Sequence, residues 1–251
     1  MPPLSIAIIP ARYASTRLPG KALALLAGRP MICHVAERTR RARGFGDVIV
    51  ATDDARIAQA VAATGARVVM TRADHPSGTD RLAEVAASLD AEIIINVQGD
   101  LPLLDPIMVE HLAARLAADA SLPMATLVVP IRDEAEWHSP HVVKVVVGRD
   151  GRALYFSRSA IPHDRDGRTP PGDVLGLRHV GMYGYRKDVL LRLAGLAPTP
   201  LEERERLEQL RALEHGIAIG IVEWTAAEAL IEVDTVDDLE RARAALEGGA
   251  A

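Results

Sequence analysis

Apolar residues in this chain fall into short unbroken runs, separated by stretches in which they recur every three or four positions. The first run covers 4–9, and others follow at 48–52, 68–70 and 92–97. Between them, Ile57, Val61 and Ala62, and then Leu82, Val85 and Ala86, recur at helical spacing. Pro30 opens a further helix over 30–38, at a position where its missing N–H costs nothing. Gly65 stands where the helix around Ile57 must stop. Near-continuous apolar strands alternating with amphipathic helices predict parallel βαβ units covered on both faces. Ligands of such sheets bind beyond the carboxyl ends of the strands. Those ends carry the loops at 10–21, 52–54, 71–81 and 98–102.

After a helix over 106–118 the pattern changes. Strands are expected at 124–131, 142–147 and 153–157, with little helix between them. Arg149-Asp150-Gly151-Arg152 is a turn signal that makes the last two a hairpin. An exposed loop at 163–175 and a strand at 178–186 come next. A single charged helix is expected over 201–215, stopped by Gly216, with most of its charges on a solvated face. A strand at 217–222, an amphipathic helix at 235–246 and a disordered tail from 248 complete the chain. There is no internal repeat and no separating linker, so residues 1–251 are expected to form a single α/β domain.

Composition narrows the picture. The chain has 251 residues, 49% of them hydrophobic, enough for one large domain or one with an insertion. Aromatics make up 3%, so aliphatic side chains must fill the core. The net charge of −5 is mixed along the chain, and no basic tract points to nucleic acid. Cys33 is the only cysteine, which rules out an internal disulfide and suits a small core residue of a cytosolic protein. The N-terminal apolar run is too short for a signal peptide, and no run reaches membrane-spanning length. The expected location is the cytoplasm, without membrane insertion.

The chemistry gathers in the loops. Residues 8–21, IIPARYASTRLPGK, follow the first strand with Pro, Gly and three cations together. Such a loop can face an anion with backbone N–H groups and hold phosphate oxygens with Arg and Lys. A turn with ordinary surface charge is the other reading. It is not a P-loop, which would need Gly at Ser15 and Ser or Thr at Ala22. Residues 96–100, NVQGD, put Asp100 just past a strand, and Asp234 precedes the last helix. Two isolated carboxylates suit Mg²⁺, which prefers few carboxylates with water and substrate phosphates. Asp234 also reads as a helix N-cap. The polar loop 71–81, TRADHPSGTDR, offers hydroxyls, a cation and N–H groups to a base or phosphate, or caps a helix through Thr79 or Ser77. Arg158, His179, Tyr183, Glu208 and Gln209 are polar residues set among apolar ones, each alone readable as structural.

Taken together, these segments resemble the 3-deoxy-manno-octulosonate (Kdo) cytidylyltransferase family. The matching stretches are IIPARYASTRLPGK (8–21), VIVATDD (48–54), TRADHPSGTDRLAEV (71–85), NVQGD (96–100), ALYFSRSAIP (153–162), RHVGMYGYR (178–186), LEQLR (207–211) and VDTVDDLERAR (233–243). They span nearly the whole chain in the family's order. The N-terminal part is also similar to CMP-sialic acid synthetases, whereas RHVGMYGYR and LEQLR favour Kdo.

The resemblance implies an α/β fold of the nucleotide-diphospho-sugar-transferase type, three-layered with a mostly parallel sheet. It implies a homodimer that makes contact through a strand-rich portion at about 125–200. The implied reaction transfers CMP from CTP to Kdo, releases pyrophosphate, and activates the sugar for lipopolysaccharide synthesis. By the same match Arg12, Arg17 and Lys21 hold the CTP phosphates. Arg17, Lys21 and Asp100 are the expected catalytic groups. Ala11, Arg12, Ser15, Arg72, Asp74 and Ser77 surround the nucleotide. Asp100 and Asp234 bind Mg²⁺, and Gln98, Arg158, His179, Tyr183, Glu208 and Gln209 line the sugar-acid pocket.

Three positions depart from the family pattern. Leu101 stands where QGDEP has Glu, His163 where IPWDR has Trp, and Glu232 where a Gly precedes the Val-Asp of the second carboxylate. Two rivals follow. One is a cytidylyltransferase for a related sugar acid, sialic acid or an amino-substituted Kdo. The other is a silent nucleotide- or sugar-binding subunit, which Leu101 keeps open and the intact Arg17, Lys21, Asp100 and Asp234 oppose.

Overall fold

The computed structural model describes residues 4–14, 18–167, 169–170, 172–225 and 230–248. Packing divides them into two compact units. One holds the described residues up to Ala113 together with 230–248, and the other those from Ala114 to 225.

The first unit contains β1 (Ser5–Ala11), β2 (Leu25–Leu26), β3 (Arg29–Pro30), α1 (Met31–Arg40), β4 (Phe45–Thr52), α2 (Ala55–Ala62), β5 (Arg67–Met70), α3 (Gly78–Ala87) and β6 (Ile93–Asn96). Helix α4 (Pro106–Ala118) begins in it. Strand β1 pairs with β4 and with β6, and β4 with β5, all parallel, so the order is β6-β1-β4-β5. The expected parallel βαβ organisation is present. Ala7, Ile8 and Ile9 of β1 and all three isoleucines of β6 have no solvent exposure. Burying such a side chain is worth about 1.5–3 kcal/mol, which makes these unbroken aliphatic runs the core without help from aromatics. The chain moves from β1 outward through β4 and β5 and then returns to the other side of β1 with β6. That reversal opens a crevice beyond the carboxyl ends of β1 and β6.

The second unit contains β7 (Met124–Ile131), α5 (Glu134–His138), β8 (Lys144–Val147), β9 (Ala153–Ser157), β10 (Gly176–Arg186), α6 (Lys187–Ala194), α7 (Pro200–Glu205), α8 (Gln209–Glu214) and β11 (Ile219–Glu223). Here pairing is mainly antiparallel: β10 with β7 and β8, and β8 with β9 as the expected hairpin; β11 runs parallel to β7. The chain then returns to the first unit as α9 (Val236–Gly248). Gly248 ends this helix instead of opening a tail, and the rest of that stretch lies outside the described residues.

Two expectations about the second unit fail for identifiable reasons. The single helix over 201–215 is two helices, because Arg206 takes a left-handed conformation, φ 56° and ψ 47°. The break lets Leu207 bury and lets Arg211 grip Glu202 through Nε–Oε2 at 2.8 Å and Nη2–Oε1 at 2.6 Å. Gln209 and Arg211 are therefore buried, not solvated. The strand expected from 217 starts at Ile219, because the Ile217 N–H is spent on the Ala212 carbonyl and that of Gly216 on Leu213, closing the end of α8. Helix α6, which buries Leu190 and Leu193, was not expected from the sequence.

Candidate active site

The crevice beyond β1 and β6 is a cleft of about 310 Å³ lined by first-unit residues. Pro10, Ala11 and Arg12 come from the end of β1, and Gln98, Gly99 and Asp100 follow β6. His75, Pro76 and Ser77 come from the loop that enters α3, Gly78 and Arg81 from its first turn, and Glu232 and Asp234 from the segment before α9.

Local chemistry explains why each group arrives there. Lys21 opens a 3-10 turn, Lys21–Leu23, whose preceding residue Gly20 is left-handed at φ 71°, a conformation that glycine adopts without penalty. The Gly20 N–H donates to the Tyr13 carbonyl at 3.1 Å, closing the base of the loop. Gly99 has a different role: a Cβ there would come within 3.1 Å of the Pro10 carbonyl, so glycine lets the loop after β6 lie against the end of β1 without pushing that carbonyl aside. Asp234 is carried in by α9, whose Leu239 and Ala242 pack with Leu26, Met31 and Val233. The Val233 N–H then donates to the Asp100 carbonyl at 2.9 Å, which brings together two carboxylates 134 positions apart.

Between those carboxylates lies the Lys21 ammonium, 2.7 Å from Asp100 Oδ2 and 3.0 Å from Asp234 Oδ1. Burial opposes the charge on Lys21, but the two carboxylates outweigh it and hold its pKa above the ordinary value. Asp100 Oδ1 is buried and has no hydrogen-bond partner among the described residues. The helix-capping reading of Asp234 does not hold: Thr235 and Asp238 cap α9 reciprocally, with Asp238 N–H donating to Thr235 Oγ1 at 3.2 Å and Thr235 N–H to Asp238 Oδ2 at 2.8 Å. Among the described residues no three His, Cys, Asp or Glu side chains form a metal cluster. Two carboxylates, one with a buried unpartnered oxygen, fit an ion that completes its shell with water and phosphate.

The remaining nucleotide residues divide. Ala11, Arg12 and Ser77 line the cleft. Ser77 is the N-cap of α3; its Oγ accepts from the Asp80 N–H at 3.3 Å, so the capping role falls to it and not to Thr79. Arg72 and Asp74 are exposed, pair with each other at 3.7 Å, and are not among the residues lining the cleft. Ser15 and Arg17 lie outside the described residues. Two polar lining residues, Arg81 and His75, fall within the 71–81 stretch without being singled out there as site residues. Arg81 is buried, bonded to the Thr71 hydroxyl and 3.4 Å from Asp53. His75 is bonded to Glu84. A charged residue on the Leu82–Val85 face of α3 was the available signal for Arg81.

Of the sugar-acid set, Gln98 lies in the first unit and lines the cleft; the others belong to the second unit. His179 and Tyr183 both come from β10, with ring centroids 5.2 Å apart, and Phe156 meets His179 edge-on at 5.2 Å. Enclosure lowers the His179 pKa to about 3, so its imidazole is neutral at physiological pH. Burial, then Tyr185 and Glu208, raise the Tyr183 hydroxyl well above its usual range, which ties Glu208 electrostatically to this group. Gln209 Nε2 is a buried donor without a partner among the described residues. Arg158 stands apart from these rings in its bonding, donating to the carbonyls of Glu205 at 2.9 Å, Pro140 at 3.0 Å and Arg206 at 3.4 Å.

The departures from the family pattern take different positions. Leu101 is buried in the core, Glu232 lines the cleft, and His163 is exposed.

Comparison with known proteins identifies the family. A family model described as "Cytidylyltransferase" matches residues 6–219. A 3-deoxy-manno-octulosonate cytidylyltransferase of Geobacter metallireducens is 56% identical over 242 residues, covering 94% of each chain. One from Myxococcus xanthus is 53% identical over 245 residues, covering 95% of this chain and 97% of its own. A solved structure of CMP:2-keto-3-deoxy-manno-octonic acid synthetase complexed with CTP superposes with a TM-score of 0.91 at 46% identity, covering 98% of this chain and 99% of that one. A 4-diphosphocytidyl-2C-methyl-D-erythritol synthase from Anaerococcus prevotii, 12% identical with a TM-score of 0.64 over 98% of this chain and 99% of its own, shares the fold. With a family match over most of its length and relatives above one-half identity, the chain belongs to the 3-deoxy-manno-octulosonate cytidylyltransferase family.

Proposed function

We propose that this chain is a nucleotidyltransferase that transfers CMP from CTP to Kdo and releases pyrophosphate. The observation that carries the reading is the Lys21–Asp100–Asp234 group at the crevice beyond β1 and β6, in a chain 46% identical to a Kdo-activating synthetase complexed with CTP. In the reaction, the anomeric hydroxyl of Kdo attacks the α-phosphorus of CTP. The bond to the bridging oxygen of pyrophosphate breaks, and the hydroxyl proton leaves to solvent.

Arg12, Arg17 and Lys21 are assigned to the triphosphate, where cations aimed at the equatorial oxygens stabilise charge that grows in the transition state. Ser77 and the N-terminus of α3 line the same cleft as Arg12 and Lys21, and a helix N-terminus offers backbone N–H groups suited to an anion. Ala11 and Ser15 are assigned to the nucleotide, with Arg72 and Asp74 at the loop's exposed edge. Asp100 and Asp234 are the residues assigned to Mg²⁺, which when bound would neutralise phosphate charge and acidify the attacking hydroxyl. Gln98, Arg158, His179, Tyr183, Glu208 and Gln209 are assigned to the sugar acid. Neutral His179 and the Gln209 Nε2, buried without a partner among the described residues, suit hydroxyl recognition, and Arg158 suits the carboxylate.

The strand-rich portion at about 125–200 is assigned to a homodimer contact, supported by the exposed apolar Leu154 and Val174 within it. Sedimentation at micromolar concentration giving only monomer mass would overturn that part. The location proposed is the cytoplasm; no helix among the described residues is long and apolar enough to cross a membrane.

The test is pyrophosphate release from CTP, ATP and GTP, each against Kdo, amino-substituted Kdo and sialic acid. CTP with Kdo should have the highest kcat/KM. Equal turnover of GTP, or a preference for sialic acid, would reject the reading.

A further inference from the structure

We infer that Lys21 is a built-in counter-cation that occupies the seat between Asp100 and Asp234, so that entry of a divalent ion depends on nucleotide drawing the ammonium away. The inference rests on the assignment of those two carboxylates to the metal.

The geometry is specific. One ammonium bridges Asp100 Oδ2 at 2.7 Å and Asp234 Oδ1 at 3.0 Å, and all three side chains are mostly shielded from water, at 17%, 16% and 28% exposure. The partners come from three separate segments, each held by contacts other than the ion pairs. Gly20 and its bond to Tyr13 set the turn that carries Lys21. The Asp100 carbonyl is tied to Val233, and α9 anchors the Asp234 segment in the core. Convergence of this kind is not a loose surface pair.

A divalent ion held by both aspartates, even one taking Asp100 Oδ1 as a ligand, would lie against the same two carboxylates that Lys21 already engages through Asp100 Oδ2 and Asp234 Oδ1. Two cations cannot share them at contact distance without strong repulsion. Lysine is suited to yielding, because its charge is a compact point on a flexible four-carbon stem. The cleft is where the triphosphate is assigned, and its oxygens offer the ammonium a second set of partners. A ligand shifts such an equilibrium only through its differential affinity for the two states. CTP meets that condition, since it can bond the displaced ammonium and also supply oxygens to the incoming ion. By reciprocity, metal and CTP then strengthen each other's binding by the same factor.

The test uses the full chain and Mn²⁺ as the probe. Free Mn²⁺ is measured by electron paramagnetic resonance without nucleotide, for wild type, Lys21→Met and Lys21→Met/Asp234→Asn. Wild type should bind weakly. Lys21→Met should bind about ten- to a hundredfold more tightly, the range expected for removing a charge-assisted contact that competes for the same carboxylates. The double variant should lose that gain. If Lys21→Met is poorly folded, Lys21→Gln replaces it, and Mg²⁺ should raise the Tm of either variant more than that of wild type.

In parallel, water-proton relaxation of Mn²⁺ with CTP and no sugar acid is followed in wild type and Asp234→Asn. Loss of enhancement in Asp234→Asn, together with no tightening in either Lys21 variant, would overturn the counter-cation role while leaving the metal assignment standing. Enhancement that ignores Asp234→Asn would overturn the metal assignment, and this inference with it.

Discussion

His179 Nε2 lies 3.0 Å from Thr126 Oγ1, and that hydroxyl in turn lies 2.8 Å from the Met182 carbonyl. A hydroxyl has one proton to give, and a carbonyl can only accept it. Thr126 therefore donates to Met182 and accepts from His179, which makes Nε2 the protonated nitrogen of a neutral imidazole. The pairing orients the ring between Phe156 and Tyr183.

This arrangement predicts a pH dependence. The folded His179 pKa is about 3, against an ordinary value near 6.5. Between those values the unfolded chain binds a proton that the folded chain refuses. The contribution is thus complete above about pH 6.5 and is lost as pH falls toward 3, at up to about 1.4 kcal/mol per pH unit. Urea unfolding from pH 7 to 4 should show a steeper acid loss in wild type than in His179→Gln. Parallel slopes, or an imidazole NMR titration near pH 6.5, would contradict the assignment.

Lys144 is fully buried, and its ammonium makes no ion pair with a carboxylate among the described residues; it donates to the carbonyls of Ser139 at 2.8 Å, Val142 at 2.7 Å and Arg158 at 2.5 Å. All three of its donors are used. Lys144→Met keeps an unbranched side chain of nearly the same length and strands three acceptors, which should cost about 2–4 kcal/mol. A shift of the urea midpoint at constant m-value is the measurement. A cost below about 0.5 kcal/mol, typical of an exposed substitution, would show that water replaces the ammonium.

Arg158 joins two roles that one substitution can separate. Its guanidinium already braces Pro140, Glu205 and Arg206, so Arg158→Ala should lower stability by about 1–3 kcal/mol. If it also receives the Kdo carboxylate, kcat/KM for Kdo should fall roughly ten- to a hundredfold with the KM for CTP nearly unchanged. A folded variant with a lower Tm but wild-type Kdo kinetics would leave Arg158 as a brace alone.

Asp100→Asn removes charge without changing shape. The loop after β6 is held by backbone contacts, the Gly99 approach to Pro10 and the Val233–Asp100 bond, none of which needs the carboxylate. The variant should keep its circular dichroism spectrum yet lose activity by about a hundredfold or more, as happens when one preorganised electrostatic contact is lost. Wild-type turnover with Mg²⁺ present would remove Asp100 from the catalytic group.

Periodicity alone made much of this protein legible. The unbroken aliphatic runs at β1, β4 and β6 could be stable only as buried parallel strands, and the chain forms them so. The same logic located the loops past their carboxyl ends, where Lys21, Ser77, Gln98 and Asp100 now line one cleft. What pattern could not supply was long-range pairing. Asp234 and Asp100 are neighbours because α9 packs on Leu26 and Met31 and because one N–H reaches one carbonyl, and neither event leaves a local trace. The helix expected over 201–215 divides at Arg206 because burying Leu207 and pairing Arg211 with Glu202 outweigh one strained residue. Local propensity told of strands, helices and caps. Which charges would meet, and that Lys21 would sit between two aspartates, was decided by packing across the fold, where contact energy depends on neighbours far away in the chain.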